Sequence, residues 1–214
     1  KELDRVPLVM YEGILPAAEV QSYLGRERIG LMRWSAIHRV RYPHCRFETR
    51  DYYVDGRKWQ RNTIHTSAGS IYEERAFETV YHSSSIRKHY VQEPQDYEAL
   101  WAYLNDAVIA EDYDRYHGDQ ADLGDDGTPL VAVERTPYQQ LWVQWVGLDM
   151  LGYHFADCPD RVERTINLLR QRAVTIQVAR RLADRLGAGP ECGLAAWRNL
   201  LVHQHAHLGQ GHLA

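Results

Sequence analysis

The stretch 129–147, PLVAVERTPYQQLWVQWVG, carries the pattern from which the fold is read. An apolar run, Leu130 to Val133, stops at Glu134-Arg135-Thr136, and after Pro137 the chain turns at Tyr138 into a segment read as a helix to about Leu151. A short apolar run bounded by proline and polar residues is how a buried strand looks. The same order opens the chain: RVPLVMY, Arg5 to Tyr11, is closed by Glu12-Gly13, and a helical stretch follows from Pro16 to Leu24. Strand then helix, repeated, predicts an α/β fold with parallel strands. Such folds place their chemistry at the carboxyl ends of strands, which makes Glu12, Arg135 and the adjoining Tyr138 candidates for substrate binding.

Between these two units the pattern changes. RIGLMRW, Arg28 to Trp34, reads as a further strand. From Tyr52 to Val91 the residues alternate in Thr- and Tyr-rich style, and YYVDGRKW sets Asp55-Gly56 between two aromatic arms, a strong hairpin signal. An antiparallel β-meander of roughly 40 residues is expected there. Next, EPQDYEALWAYLNDAVIAEDYDRYHG reads as one helix: Pro94 suits its first turn, Tyr97, Leu100, Trp101, Leu104 and Val108 recur at helical steps, and Gly118 lies past its end. A last long helix starts at Pro159-Asp160, buries Val162, Ile166, Leu169, Ala173, Ile176 and Ala183, and stops at Gly187.

Composition sets limits on function. The 214 residues are 44% hydrophobic and 25% charged with a net charge of −4, the charges interspersed, so no footprint for nucleic acid or an anionic membrane appears. No apolar run approaches membrane-spanning length and KELDRVPLVMYEG does not read as a signal peptide, so a cytoplasmic protein acting on a small molecule is expected. Cys45, Cys158 and Cys192 are scattered and odd in number, which fits reduced thiols. Two histidines, His65 and His82, fall in the β-rich insert, and His65 is retained as a binding candidate. Trp59, Trp101, Trp142 and Trp145 read as core.

Taken in order, RVPLVMY, the β-rich insertion holding TSAGSIYEE, the helix EPQDYEALWAYL, the unit ERTPYQQLWVQWVG and FADCPDRVERTINLL resemble the uroporphyrinogen decarboxylase superfamily, which also contains corrinoid-dependent methyltransferases. The resemblance runs over about residues 5 to 186 and assigns residues 1–186 to the amino-terminal part of such a protein. It implies a partial (β/α)8 TIM-type barrel with an antiparallel β-rich insertion and a cleft at the carboxyl ends of its strands. A decarboxylase of this family holds the carboxylates of its porphyrinogen with arginines just after the first strand. Here Glu12 and Pro16 stand at those spacings, no Asp occurs between Asp4 and Asp51, and Val143 falls where the substrate-binding tyrosine is expected. A carboxylate there repels a polyanion and the bidentate guanidinium fork is missing. The methyltransferase branch is therefore the nearer one, with true decarboxylation in tetrapyrrole biosynthesis as the alternative. That branch implies zinc and a corrinoid for a full-length form. Its zinc ligands belong to a carboxyl-terminal half that this chain does not reach, so the 214 residues alone are expected to be inactive and to contain no cofactor.

A barrel needs eight strands, and only two to four are counted here. An open sheet edge then predicts self-association or a homodimer, and a second reading of the chain is a non-catalytic fragment or interaction module. Residues 187–214 match nothing in the family pattern. Their His203, His205, His207 and His212 are read as an incidental tail, since Glu191 is the only acid near enough to orient an imidazole ligand.

Overall fold

The computed structural model describes residues 8–12, 17–25, 28–78, 83–131 and 134–186. His82, Cys192 and the four tail histidines lie outside them. The chain divides into two compact units: Lys1–Arg39 with Ala110–Val133 and Ala179–Ala214, and Val40–Ile109 with Glu134–Val178.

In the first unit β1 (Leu8–Tyr11) leads through α1 (Ala17–Leu24) to β2 (Ile29–Ser35), and β9 (Gly127–Val131) returns much later in sequence. These three strands form one sheet in the order β1-β2-β9, and both pairings are parallel, as the strand–helix pattern requires. Alternation puts Met10 and Leu31 on one face, and Leu123 of α3 (Asp114–Leu123) packs against them. On the other face Val9, Tyr11 and Trp34 stay exposed, with the rings of Tyr11 and Trp34 stacked 5.7 Å apart. The Arg5–Tyr11 run is thus not the fully buried strand its composition suggests. Leu8 is 56% exposed as well, because β1 is an outer strand of this sheet.

Two further strands, β3 (His38–Arg41) and β8 (Val108–Glu111), pair with each other and contain the points where the chain leaves and re-enters the first unit. The second unit opens with the meander: β4 (Arg46–Val54), β5 (Arg57–Thr66), β6 (Gly69–Glu78) and β7 (Ser83–Lys88), all antiparallel neighbours. Asp55 and Gly56 both take positive φ (51° and 74°), which is why Asp-Gly makes the β4–β5 turn. The meander starts six residues earlier than expected, since the polar run Arg46–Asp51 pairs with β5 despite its lack of apolar alternation.

Against this sheet packs α2 (Asp96–Asn105), whose Tyr97 and Leu100 are completely buried. The single helix expected from Pro94 to just before Gly118 is split. At Asp106 the carboxylate accepts from the backbone N–H groups of His44 (2.9 Å) and Cys45 (3.0 Å), and the β-branched pair Val108-Ile109 goes into β8 before α3 begins.

After β9 come α4 (Pro137–Gln140), one π-helical turn over Leu141–Trp145, α5 (Leu148–Asp157) and α6 (Pro159–Leu186). The core joins Leu141, Trp145, Val146, Leu151, Val162 and Leu169 to α2, with Ile64 and Ile71 from the sheet. Two of its polar contacts are paired, Trp101 Nε1 donating to Thr165 Oγ1 at 2.8 Å and Tyr97 Oη lying 3.1 Å from His154 Nδ1, whereas Trp145 Nε1 is buried without a hydrogen-bond partner. The fold is therefore mixed α/β, with a parallel sheet and a separate antiparallel one. Among the described residues no sheet closes into a barrel, and the meander contributes no strand to the parallel sheet.

Candidate functional site

Glu12 continues the β1 ladder by one residue, its N–H donating to Met32 O at 3.0 Å. With Tyr11 opposite Met32, the next residue along each strand makes Glu12 and Arg33 neighbours at the carboxyl ends of two parallel strands. Their side chains meet in a bidentate pair, Nε to Oε2 at 2.5 Å and Nη2 to Oε1 at 2.7 Å. The remaining nitrogen, Nη1, donates to Asp119 Oδ1 (3.2 Å) and Asp122 Oδ2 (2.8 Å). Those aspartates sit three apart on α3 and so share a helix face. Buried Ser35 donates to Asp119 Oδ2 at 2.7 Å, and Arg115 Nε approaches the same oxygen at 3.8 Å.

The electrostatics follow from this geometry. The hydrogen bond from Arg33 lowers the Glu12 pKa, and the hydrogen bond from Ser35, followed by that from Arg33, lowers that of Asp119. The Glu12 and Asp122 bonds in turn hold Arg33 firmly protonated. One guanidinium thus serves three carboxylates, and with Arg115 counted the cluster remains net negative at neutral pH.

A second carboxylate–arginine pair forms beyond β9, in the other unit. Arg172 of α6 directs Nε (3.0 Å) and Nη2 (2.9 Å) at one oxygen of Glu134, and Nη1 at the hydroxyl of Tyr42 (2.8 Å). Tyr42 stacks on Tyr103 with ring centres 4.4 Å apart and their hydroxyls 2.7 Å apart. Burial pushes the Tyr103 phenol pKa well above its usual value. Gln140 Nε2 donates to the Arg135 carbonyl at 2.8 Å and lies 3.5 Å from Glu134 Oε2.

The structure sorts the sequence candidates differently from one another. Glu12 is in a charge cluster at a strand end, with Arg33 as its arginine. Of the Glu134-Arg135 pair, Glu134 is the residue in a polar network, while Arg135 contributes its carbonyl to the start of α4. Tyr138 is 48% exposed, its ring 6.3 Å from that of Phe155. His65 lies across β5–β6 from its strand partner Ser70, with Nδ1 2.8 Å from the Ser70 hydroxyl and Nε2 3.4 Å from Glu48.

Sequence reading missed Arg33, Asp119, Asp122, Ser35, Glu134 and Arg172. Arg33 and Ser35 stood at the end of a recognised strand, and that position was the available signal. The aspartates lay just beyond the end of what was read as one long helix, in a span to which no element was assigned.

The described residues define a mixed α/β protein in which the first parallel strand runs into an arginine-bound carboxylate, Glu12. Compared with known proteins, the chain matches no family model, no curated protein and no solved structure.

Proposed function

We propose that this chain is a divergent part of a uroporphyrinogen decarboxylase-like protein, nearer to the methyltransferase branch, whose complete form acts on a small organic substrate that is not a polyanion. The observation that carries this reading is the sharing of Arg33 among Glu12, Asp119 and Asp122 at the ends of β1 and β2. A decarboxylase of porphyrinogens needs unengaged guanidinium forks at this place, and here the nearest guanidinium is already saturated by carboxylates. Order supports the family: three parallel strands run consecutively across the sheet, and the antiparallel meander falls between the second and third, as the resemblance implies. A partial barrel is the corresponding proposal for the architecture.

Zinc held by one His and two Cys does not fit the residues described. Among them no group of three His, Cys, Asp or Glu side chains is placed to hold a metal ion, and burial, with the neighbouring Asp106 carboxylate, pushes the Cys45 thiol up to about 11. What the chain's own residues supply is an acidic strand-end surface that favours neutral or cationic groups.

Fluorescence titration with coproporphyrin at two ionic strengths tests this. The parent chain is expected to show no saturable binding. Glu12→Arg is expected to gain affinity by about tenfold at low salt and by less at high salt, because an exposed charge effect is screened. Tight, salt-sensitive binding by the parent would place the protein in the decarboxylase branch instead.

A further inference from the structure

Strand β4 is an edge of the antiparallel meander: β5 lies on one side of it, and among the described residues no strand lies on the other. Which backbone groups face that open side follows from the turn. Asp55-Gly56 is a two-residue turn, so Val54 and Arg57 form a hydrogen-bonded pair, and the pairing runs from there to Arg46 and His65 without a register shift. Alternation then directs the N–H and C=O groups of Glu48, Arg50 and Tyr52 at β5 and those of Phe47, Thr49 and Asp51 at the open side. Edges are ordinarily blunted by shortness or by bulges. The opposite edge, β7, has six residues and a register shift at Glu74/Arg75. β4 has nine residues and no shift, and on one of its faces Arg46, Glu48 and Arg50 alternate in sign. We propose that β4 pairs antiparallel with β4 of a second copy of the chain about a two-fold axis at Thr49, joining two meanders into one sheet.

Symmetry and charge select both the occupant and the register. In a two-fold antiparallel pair one residue must face its own copy, and only axes at Thr49, Arg50 and Asp51 let the nine-residue strands overlap by about seven residues or more. An axis at Arg50 sets two guanidinium groups against each other, and one at Asp51 sets two carboxylates against each other; like charges so placed destabilise a pair. An axis at Thr49 sets threonine on threonine, and it sets Glu48 of each copy opposite Arg50 of the other. The charges are available for this. The Arg50 side chain is 75% exposed and that of Glu48 46%; within one chain they approach each other only to 3.9 Å, and His65 Nε2 lies 3.4 Å from Glu48. Thr49 also has its backbone groups outward, as the central hydrogen-bonded position requires. With Phe47 and Asp51 on either side of it, about six backbone hydrogen bonds form between the two copies. A single strand pair is smaller than the ~800 Å² per partner of a standard interface, so the dimer is weak and concentration-dependent.

Sedimentation velocity from about 5 to 500 μM covers the range of such a dimer. The parent chain is expected to pass from monomer to dimer, more readily at low salt than at high. Glu48→Arg and Arg50→Glu each set like charges across the axis and are expected to weaken association by about tenfold or more. The double variant Glu48→Arg/Arg50→Glu restores opposite charges with the signs exchanged, and it is expected to dimerise within about threefold of the parent. Thr49→Pro removes an outward N–H without touching the β4–β5 ladder, and it is expected to stay monomeric with an unchanged circular dichroism spectrum. A parent that is still monomeric at the highest concentration overturns the proposal. So does either single reversal associating like the parent, or a double variant that associates no better than the single ones.

Discussion

Glu111, the last residue of β8, has a carboxylate oxygen, Oε2, that is buried without a hydrogen-bond partner. Desolvation alone raises its pKa above the ordinary 4.5. A carboxyl with a higher pKa in the folded than in the unfolded state binds more protons when folded. Its contribution therefore favours folding at low pH and is lost as pH rises through the folded value. Glu111→Gln removes the charge and keeps the shape. In urea unfolding it is expected to be as stable as the parent near pH 4 and more stable at pH 7; equal stabilities at both pH values would show that the side chain is well solvated. Glu12 and Asp119 have the opposite sign. Their depressed pKa values add stability above the ordinary carboxylate range that disappears as the pH falls through the folded values. Both groups are partly exposed, so screening keeps this contribution small.

Among the elements, the passage from α4 to α5 shows how backbone conformation overrides a helical sequence. Helical character was legible over 138–151, and the helix start was written as a Thr-x-x-Gln capping box: Thr136 Oγ1 accepts from Gln139 N, and Gln139 Oε1 accepts from Thr136 N. The break was not legible. It arises because Val146 N donates to Leu141 O, five residues back, and the Trp145 carbonyl accepts from Val91 N at 2.9 Å on a distant segment. Gly147, at φ 87°, then redirects the chain, and a Cβ there would lie 2.8 Å from Nδ1 of His89. Gly147→Ala combines left-handed strain of about 1–3 kcal/mol with that clash, and a loss of at least that size is expected in chemical denaturation. A loss below ~0.5 kcal/mol would mean that the turn relaxes freely. The split of α2 from α3 has a similar cause. Asp106 is drawn to the backbone of residues 44 and 45, a contact about 60 positions away in sequence that no local pattern records.

For the molecule as a whole, the class of fold was readable because strand and helix periods alternate, and the parallel sheet follows from that grammar. The meander was readable from Asp55-Gly56. What could not be read was the burial of each strand: β1 is as apolar as a covered strand, yet its Val9 and Tyr11 side is open among the described residues. Site residues were legible only where a strand end announced them. Glu12 was found in this way, while Asp119 and Asp122 come from a helix some 110 residues later, brought in by packing of Leu123 on Leu31 and Met10. Among the described residues no helix is long and apolar enough to cross a membrane. The functional reading depends on these elements holding carboxylates around one guanidinium, and side-chain carboxyl NMR of Glu12 and Asp119 measures that directly. In a titration of the 13C resonances of Glu12 and Asp119, both midpoints are expected below the ordinary 4.5 and 3.8, and both are expected to move up in Arg33→Met as the hydrogen-bonded cation is removed. Midpoints at or above those ordinary values in the parent chain, unchanged by Arg33→Met, would contradict the charge cluster on which the proposed function rests.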